Sequence, residues 1–232
     1  MTLLLLPNLL GNHRHYEPYL PASVDKAVAT LQGLIAESAG EGRRFLSRFA
    51  HEKKPHEIPM ALYNTNTPDA DLDFLLEPLV KGERWGLISD AGLPCISDPG
   101  FKLVKRARQR GIAVQAFVGP SALMMSLMLS GLPGQRFTFH GYVEQNAEAI
   151  QRLERASLKD EATQLFIEAP FRNQAMLEHL LQHLSPKTQL CIACDLTLPT
   201  QTIETHPVEV WKKRDLPNLH KKPTMFLLYA DK

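Results

Sequence analysis

Several classes of protein are excluded by what this sequence has little of. Cysteine is scarce: Cys95, Cys191 and Cys194 are the only three in 232 residues. Their uneven spacing rules out a disulfide framework and fits a reducing compartment, so a cytoplasmic location is expected. No apolar run approaches the length of a membrane span. The longest early one, residues 3–6, stops at Pro7 and lacks the basic segment that precedes a secretory signal. Charge of one sign is lacking as well. A net charge of +1 excludes a polybasic nucleic-acid binder, because phosphate attraction needs a sizeable positive field. Any RNA contact is therefore confined to local patches. There is no internal repeat and no low-complexity tract.

The familiar catalytic signatures are also missing. No Gly-x-x-x-x-Gly-Lys-Ser/Thr loop occurs, and Gly40-Glu41-Gly42 lacks both a third glycine and a clear preceding strand. No Gly-x-Ser-x-Gly elbow is present for a serine hydrolase. His51, Glu52 and His56 do not make a zinc site, since the histidines are five apart and Pro55 breaks any helix that would align them. Cys191 and Cys194 lie in the apolar run LCIACDL, and residues three apart on a strand face opposite ways. They read as buried small hydrophobes, and no metal site is expected.

What is present is ordinary globular composition, 44% hydrophobic and 22% charged. A chain of this length buries roughly 70% of its unfolded surface without staples. Short apolar runs alternate with amphipathic segments bounded by Gly and Pro, the rhythm of βαβ units, so the fold class is α/β. Strands are expected at residues 3–6, 34–36, 60–63, 85–89 and 113–118, with helices at 22–30, 43–49, 72–79, 101–110 and 122–129. Residues 130–136, with Gly131, Pro133 and Gly134, read as a connection near the domain junction. Beyond it strands are expected at 137–142, 164–168, 190–195, 202–205 and 224–229, with helices at 147–156 and 173–184. The division expected is an N-terminal α/β domain over residues 1–118, mainly parallel, and a C-terminal α/β domain over 119–232 with a mixed sheet.

The most informative segment is GLISDAGLPCISDPG, residues 86–100. A buried strand stops at Ser89 and Asp90 and gives way to a loop rich in Gly and Pro. Loops leaving the carboxyl ends of parallel strands are where open α/β sheets hold ligands. Gly92 lets a ligand approach the main chain, and Asp90 offers acceptors to a hydroxyl or amino group. Asp98, before Pro99 and the apolar pattern of Phe101, Leu103 and Val104, is expected to cap a helix. A second loop of this kind, VGPSALMM at 118–125, puts Ser121 at a helix start. Met124, Met125 and Met128 read as adaptable core filling. Basic clusters occur at Lys102, Lys105, Arg106, Arg108 and Arg110, at Arg43, Arg44 and Arg48, and at Lys212, Lys213 and Arg214. A solvated helix face is the plainer account of each, and RNA contact the alternative.

Four segments in order, ISDAGLPCISDPG, VGPSALMMSLMLSGLPGQRFTFHGYV, FIEAPFRN at 166–173 and DLT at 195–197, resemble the tetrapyrrole methylase superfamily. Within it they are most similar to the 16S ribosomal RNA 2′-O-ribose methyltransferase branch. The resemblance implies two α/β domains with S-adenosylmethionine in the cleft between them, held largely by main-chain atoms without a metal, and a homodimer. Carried over by position, it puts the cofactor against Pro7, against Asp90, Gly92 and Leu93, and against Ser121 and Ala122. It also implicates Glu168 and Ala169 and the later run Pro223, Thr224 and Met225. Glu168 is then a candidate general base, and Arg44 and Arg172 candidate phosphate ligands, although Glu168 and Arg172 pairing with each other accounts for them equally well. The N-terminal third departs from that branch. Its Thr-Pro-Ile-Gly-Asn turn is replaced by Pro7 to Asn12, and its Ala-Glu-Asp-Thr-Arg block survives as Ala36, Glu37 and Ser38. Three functions therefore stay open: methylation of ribosomal RNA, methylation of a tetrapyrrole or other small molecule, and cofactor binding without catalysis.

Overall fold

The computed structural model describes residues 1–231 and divides the chain into two compact units, Met1–Ser121 and Ala122–Lys232. Both are α/β.

The first unit holds β1 (Thr2–Leu5), β2 (Gly33–Ala36), β3 (Met60–Leu62), β4 (Trp85–Leu87) and β5 (Ala113–Ala116). They form one sheet in the order β3-β2-β4-β1-β5, with every pairing parallel. Between them run α1 (Ala22–Val28), α2 (Ala39–Leu46), α3 (Leu72–Val80) and α4 (Gly100–Gln109). Alternation along the strands fills two cores, because successive side chains leave opposite faces. Leu4 and Leu34 pack with Val24, Val28, Phe45 and Leu46 of α1 and α2. Leu3, Ile35 and Leu87 pack with Leu72, Leu76, Leu79 and Leu103 of α3 and α4. Covering both faces is what makes these strands continuous apolar runs in the sequence.

The second unit holds α5 (Ala122–Ser130), β6 (Phe137–Tyr142), α6 (Ala147–Asp160), β7 (Thr163–Ile167), α7 (Asn173–His183), β8 (Gln189–Cys194), β9 (Thr202–Pro207), α8 (Val208–Trp211) and β10 (Thr224–Tyr229). Its sheet runs β6-β7-β10-β8-β9. β6 and β7 are parallel, with a register shift between Phe139 and Tyr142, and the other pairings are antiparallel. Leu153, Leu177 and Leu180 of the helices close over Phe166, Ile192, Phe226 and Trp211. Phe166 and Phe226 stack with ring centroids 5.4 Å apart. The Trp211 indole N–H donates to the Leu190 carbonyl at 2.8 Å, so a buried polar atom is satisfied.

Most elements lie within a few residues of their expected positions, with instructive exceptions. α2 starts at Ala39 rather than residue 43, because Ser38 caps it by accepting the Glu41 N–H at 3.3 Å. Gly42 is required by packing, since a Cβ there would come 2.7 Å from Met60 Cε, whereas Gly40 faces open space. α6 runs one turn past the expected residue 156 and ends at Glu161 in the left-handed region, φ 48°. α8, one turn long, was not signalled by any period. Among the described residues no helix is long and apolar enough to cross a membrane.

Candidate functional site

Three loops of the first unit meet at the carboxyl edge of its sheet, and Asn8 joins two of them. Its side chain is 1% exposed yet fully used. The amide nitrogen donates to the carbonyls of Ser89 and Asp90 at 3.1 and 3.0 Å. The amide oxygen accepts the Leu9 N–H and the Arg48 guanidinium, both at 2.9 Å. The main chain repeats the link, with the Asn8 N–H donating to the Gly92 carbonyl at 2.8 Å. Two glycines bring the third loop in. Gly92 has φ +70°, and a Cβ there would lie 3.1 Å from Leu10 Cδ2 and 3.4 Å from the Pro120 carbonyl. A Cβ on Gly119 would come 2.1 Å from Pro7 Cβ. The loops after β1, β4 and β5 thus pack closely around Pro7, Gly92 and Pro120, with the glycines admitting contacts that a Cβ would block.

Asp90, next to that junction, is exposed. Its Oδ1 accepts the Ser38 hydroxyl at 3.0 Å and its own N–H donates to Glu37 Oε1 at 3.0 Å. Asp90 therefore braces the cap of α2, a contact absent from the sequence reading, while among the described residues its other oxygen accepts no hydrogen bond. Glu37 sits above the ordinary carboxylate range: burial is the main cause, the Asp90 N–H opposes it, and the charges of Asp98 and Asp90 add to it. Beside these groups lies a depression of about 180 Å³ lined by Asn8, Leu10, Glu41, Arg44, Arg48 and Asp90. Arg44 is held by Glu41 at 2.5 Å, and burial lowers the Arg48 guanidinium. Leu93 follows on the same loop and is half-buried.

Asp98 caps, but in a different way from the one expected. The residue preceding α4 is Pro99; Asp98 accepts the first helical N–H, of Gly100, at 2.6 Å, and the Cys95 N–H at 2.8 Å with its second oxygen. It ties the loop as much as the helix, and its burial raises its pKa against the pull of those two N–H groups. A larger pocket of about 450 Å³ opens here between Tyr63, Asn64, Cys95, Asp98 and Phe101. The Tyr63 hydroxyl donates to the Pro99 carbonyl at 2.8 Å, and burial pushes its pKa up to about 12.

In the second unit the remaining expected residues gather at the ends of β7 and β10. Met225 pairs with Ile167 and Thr224 with Cys194, so Pro223, Thr224 and Met225 lie across from the turn carrying Glu168 and Ala169. The Pro223 carbonyl accepts the Asp195 N–H at 2.9 Å. Glu168 is buried with both oxygens engaged: the Ala169 N–H at 2.7 Å on one, Gln145 at 3.1 Å and Arg172 at 3.3 Å on the other. The Glu168–Arg172 pair weighed from the sequence is thus present. Ser121 ends the first unit, and Ala122 opens α5, which packs on β8, β9 and β10.

The basic clusters are largely committed to protein partners. Arg43 donates to the carbonyls of Pro55 and Ile58. Lys102 pairs with Asp69 at 2.8 Å, Arg106 and Arg110 with Asp73 at 3.7 and 3.5 Å, and Arg214 with Glu204 at 2.6 Å. Cys191 and Cys194 are free thiols on the buried strand β8, with burial pushing Cys191 up to about 11. Asn8 has no role in the sequence reading, and Glu37 enters it only as part of the Ala36, Glu37 and Ser38 block, also without a role. Their only signal was position, one just past a buried strand and one at a strand's end.

Comparison with known proteins places this geometry. The sequence profile of the Tetrapyrrole (Corrin/Porphyrin) Methylases matches residues 22–210. A protein of Xylella fastidiosa called ribosomal RNA small subunit methyltransferase I is 31% identical over 202 residues, covering 87% of this chain and 71% of its own. One of the same name from Thermotoga maritima is 28% identical over 172 residues, 74% of each chain. Among solved structures, a diphthine synthase superposes with a TM-score of 0.69 at 14% identity, covering 99% of this chain and 89% of its own. The methyltransferase CobJ gives 0.65 at 17% identity, covering 99% and 93%.

Proposed function

Because this chain belongs to the tetrapyrrole (corrin/porphyrin) methylase family, we propose that it transfers a methyl group from S-adenosylmethionine to ribosomal RNA of the small subunit, at a ribose 2′-hydroxyl. The observation that carries the cofactor is the junction of three loops at one sheet edge, where Gly92 and Gly119 keep side chains out of the way. A nucleoside fits such an edge: main-chain amides and carbonyls serve its base, and the open oxygen of Asp90 serves a ribose hydroxyl. In the first unit the residues assigned to the cofactor are Pro7, Asp90, Gly92, Leu93 and Ser121, at this edge; for the second unit the family resemblance names Ala122, Glu168, Ala169, Pro223, Thr224 and Met225, of which all but Ala122 lie at the ends of β7 and β10. The acceptor rests on the relatives, whose name specifies small-subunit RNA.

When bound, the cofactor supplies an electrophilic methyl group on a sulfonium. The protein's part is to hold an acceptor oxygen in line at roughly 3 to 3.5 Å and to take its proton. Glu168 is assigned the proton, its carboxylate fixed by Arg172, Gln145 and the Ala169 N–H. Arg44 and Arg172, one in each unit, are each assigned contact with an acceptor phosphate. The test is transfer of a labelled methyl group from S-adenosylmethionine to undermethylated small ribosomal subunits, with precursor corrinoids as the competing acceptor. Label in ribose of the small-subunit RNA supports the reading; label in the corrinoid, or in neither, overturns it. Glu168→Gln is expected to slow single-turnover transfer at every pH tried, and unchanged rates remove Glu168 from the chemistry.

The partner assignment is a second copy of this chain. α5 exposes Met124, Met128 and Leu129, with Met128 at 79%, so Met124 and Met128 are not the core filling expected from the sequence, and this apolar surface is assigned to the second copy. Light scattering on a sizing column reads the mass directly. A cytoplasmic location is proposed on the three free thiols.

A further inference from the structure

We propose that the second unit carries an RNA-binding surface running along α6 to the head of β6, formed by Arg152, Arg155, Lys159 and Arg136 with Phe137 beside them. This rests on the RNA reading above and adds where the strand is held. At 3.6 residues per turn, residues 152, 155 and 159 fall within about 60° of one another, and the 1.5 Å rise per residue spreads them over about 10 Å. All three are exposed, opposite the buried face of Ile150, Leu153 and Ser157. Arg136 is exposed too, and it shares with Lys159 a polar depression of about 500 Å³ also lined by Phe137, Thr138 and Asp160.

Two things set these four cations apart together: none is paired, and they form one row beside an exposed aromatic ring, whereas Lys105, Arg108, Lys212 and Lys213, which are unpaired too, stand in clusters whose other cations are held by Asp69, Asp73 and Glu204. Among the described residues, none of the four makes an ion pair or a side-chain hydrogen bond, although Glu148 stands one turn before Arg152 and Asp160 follows Lys159. The clusters on α2 and α4 have most of their charges neutralised by Glu41, Asp69 and Asp73. An unpaired row of about 10 Å is long enough to meet more than one phosphate of a single strand. Phe137 is 38% exposed at the end of that row and offers a face for a base to stack on. Cations tracking a backbone next to an aromatic platform is the chemistry of single-stranded RNA binding. It is available to a chain of net charge +1 because the field is local.

The experiment measures binding of a fluorescein-labelled single-stranded RNA oligonucleotide by anisotropy across a potassium chloride series. The wild type is compared with the quadruple variant Arg136→Gln, Arg152→Gln, Arg155→Gln and Lys159→Gln. A charge-matched comparator carries Lys105→Gln, Arg108→Gln, Lys212→Gln and Lys213→Gln. The quadruple variant is expected to bind at least tenfold more weakly, with the slope of log K against log salt shallower by about 2 to 3, at roughly 0.7 per lost phosphate contact. The comparator should stay within about twofold of wild type. Phe137→Ala should weaken binding about tenfold with the slope unchanged, as loss of stacking does. Unchanged affinity and slope in the quadruple variant, or an equal loss in the comparator, overturns the assignment, as does binding to anionic vesicles with none to RNA. Methyl transfer to small subunits, run on the same proteins, separates the two readings. No transfer by wild type defeats the RNA acceptor itself, whereas transfer by the quadruple variant at unchanged KM defeats only the α6 surface.

Discussion

Removing the Asn8 side chain tests the loop junction most directly. Asn8→Ala strips four hydrogen bonds at once, from the Ser89 and Asp90 carbonyls, the Leu9 N–H and the Arg48 guanidinium. Leu9 and Ser89 are 2% and 4% exposed, so their groups find no water in exchange, and each orphaned group costs about 1 to 3 kcal/mol. The Asp90 carbonyl and Arg48 sit nearer solvent and recover most of what they lose. The expected loss is then about 4 kcal/mol, or roughly a 10 °C fall in the melting of the first unit at ~2 to 4 °C per kcal/mol. Asn8→Asp sharpens the test. It keeps the acceptor for Leu9 and Arg48 but turns a donating amide into an oxygen facing two carbonyl oxygens, and should destabilise at least as much. Calorimetric melting, with hydrogen exchange on the segment around residues 5–12, reads both variants. If Asn8→Asp melts within about 1 kcal/mol of wild type, the carbonyls are not held as described and the junction is not built on this side chain.

Gly92→Ala places a side chain in the left-handed region and against Leu10 and Pro120, so calorimetric affinity for S-adenosylmethionine should fall about tenfold or more while the far-ultraviolet spectrum is kept. Gly119→Ala drives a Cβ into Pro7 and should lower the melting temperature more than Gly92→Ala does. Burial holds the thiols of Cys95 and Cys191 up at about 12 and about 11, so a disulfide reagent near neutral pH should titrate them only on unfolding; rapid labelling of the native protein would contradict their placement. Glu37 has a raised pKa, which favours the folded state where the carboxyl is protonated and withdraws that advantage as pH climbs from the ordinary carboxylate range through the raised value. Glu37→Gln keeps an oxygen for the Asp90 N–H. It should be more stable than wild type near pH 8, with the gap closing toward about pH 4, as read by urea unfolding at each pH.

Burial made several strands legible: residues 3–6 and 85–89 read as continuous apolar runs and 224–229 coincides with the buried β10. Residues 137–142 coincide with β6 although none of them is buried, so there the aromatic composition and the flanking Gly and Pro were the signal. The start of α2 was not legible, because Gly40 and Gly42 argue locally against a helix and the packing of Gly42 on Met60 that outweighs them is a tertiary fact. The loop after β4 was recognisable from its Gly and Pro, yet the part of Asp90 in holding the α2 cap was not, since Ser38 lies 52 residues away. Asn8 shows the same limit. An asparagine after a strand is unremarkable in sequence, and its weight comes from two carbonyls more than 80 residues further on.

If the proposed site is largely main chain, this has a consequence for how such a family diverges. Backbone amides and carbonyls are supplied by any residue, so a loop junction can persist while most side chains change, provided glycine remains where a Cβ would collide. The diphthine synthase and this chain share a fold at a TM-score of 0.69 with 14% identity, which fits a scaffold specified by burial pattern and a few glycines. Fold alone therefore leaves the acceptor undetermined. On the proposed reading, acceptor choice resides in side chains outside the loop junction, and two sets of them are candidates. One is the rim of Glu37, Arg44 and Arg48 at the first unit's sheet edge; the other is the unpaired row on α6. Exchanging the α6 row for neutral residues while leaving the rim intact should separate affinity for the RNA strand from the rate of transfer once it is bound, raising KM with kcat little changed. A fall in kcat with KM held would place those cations in the chemistry instead of in the grip.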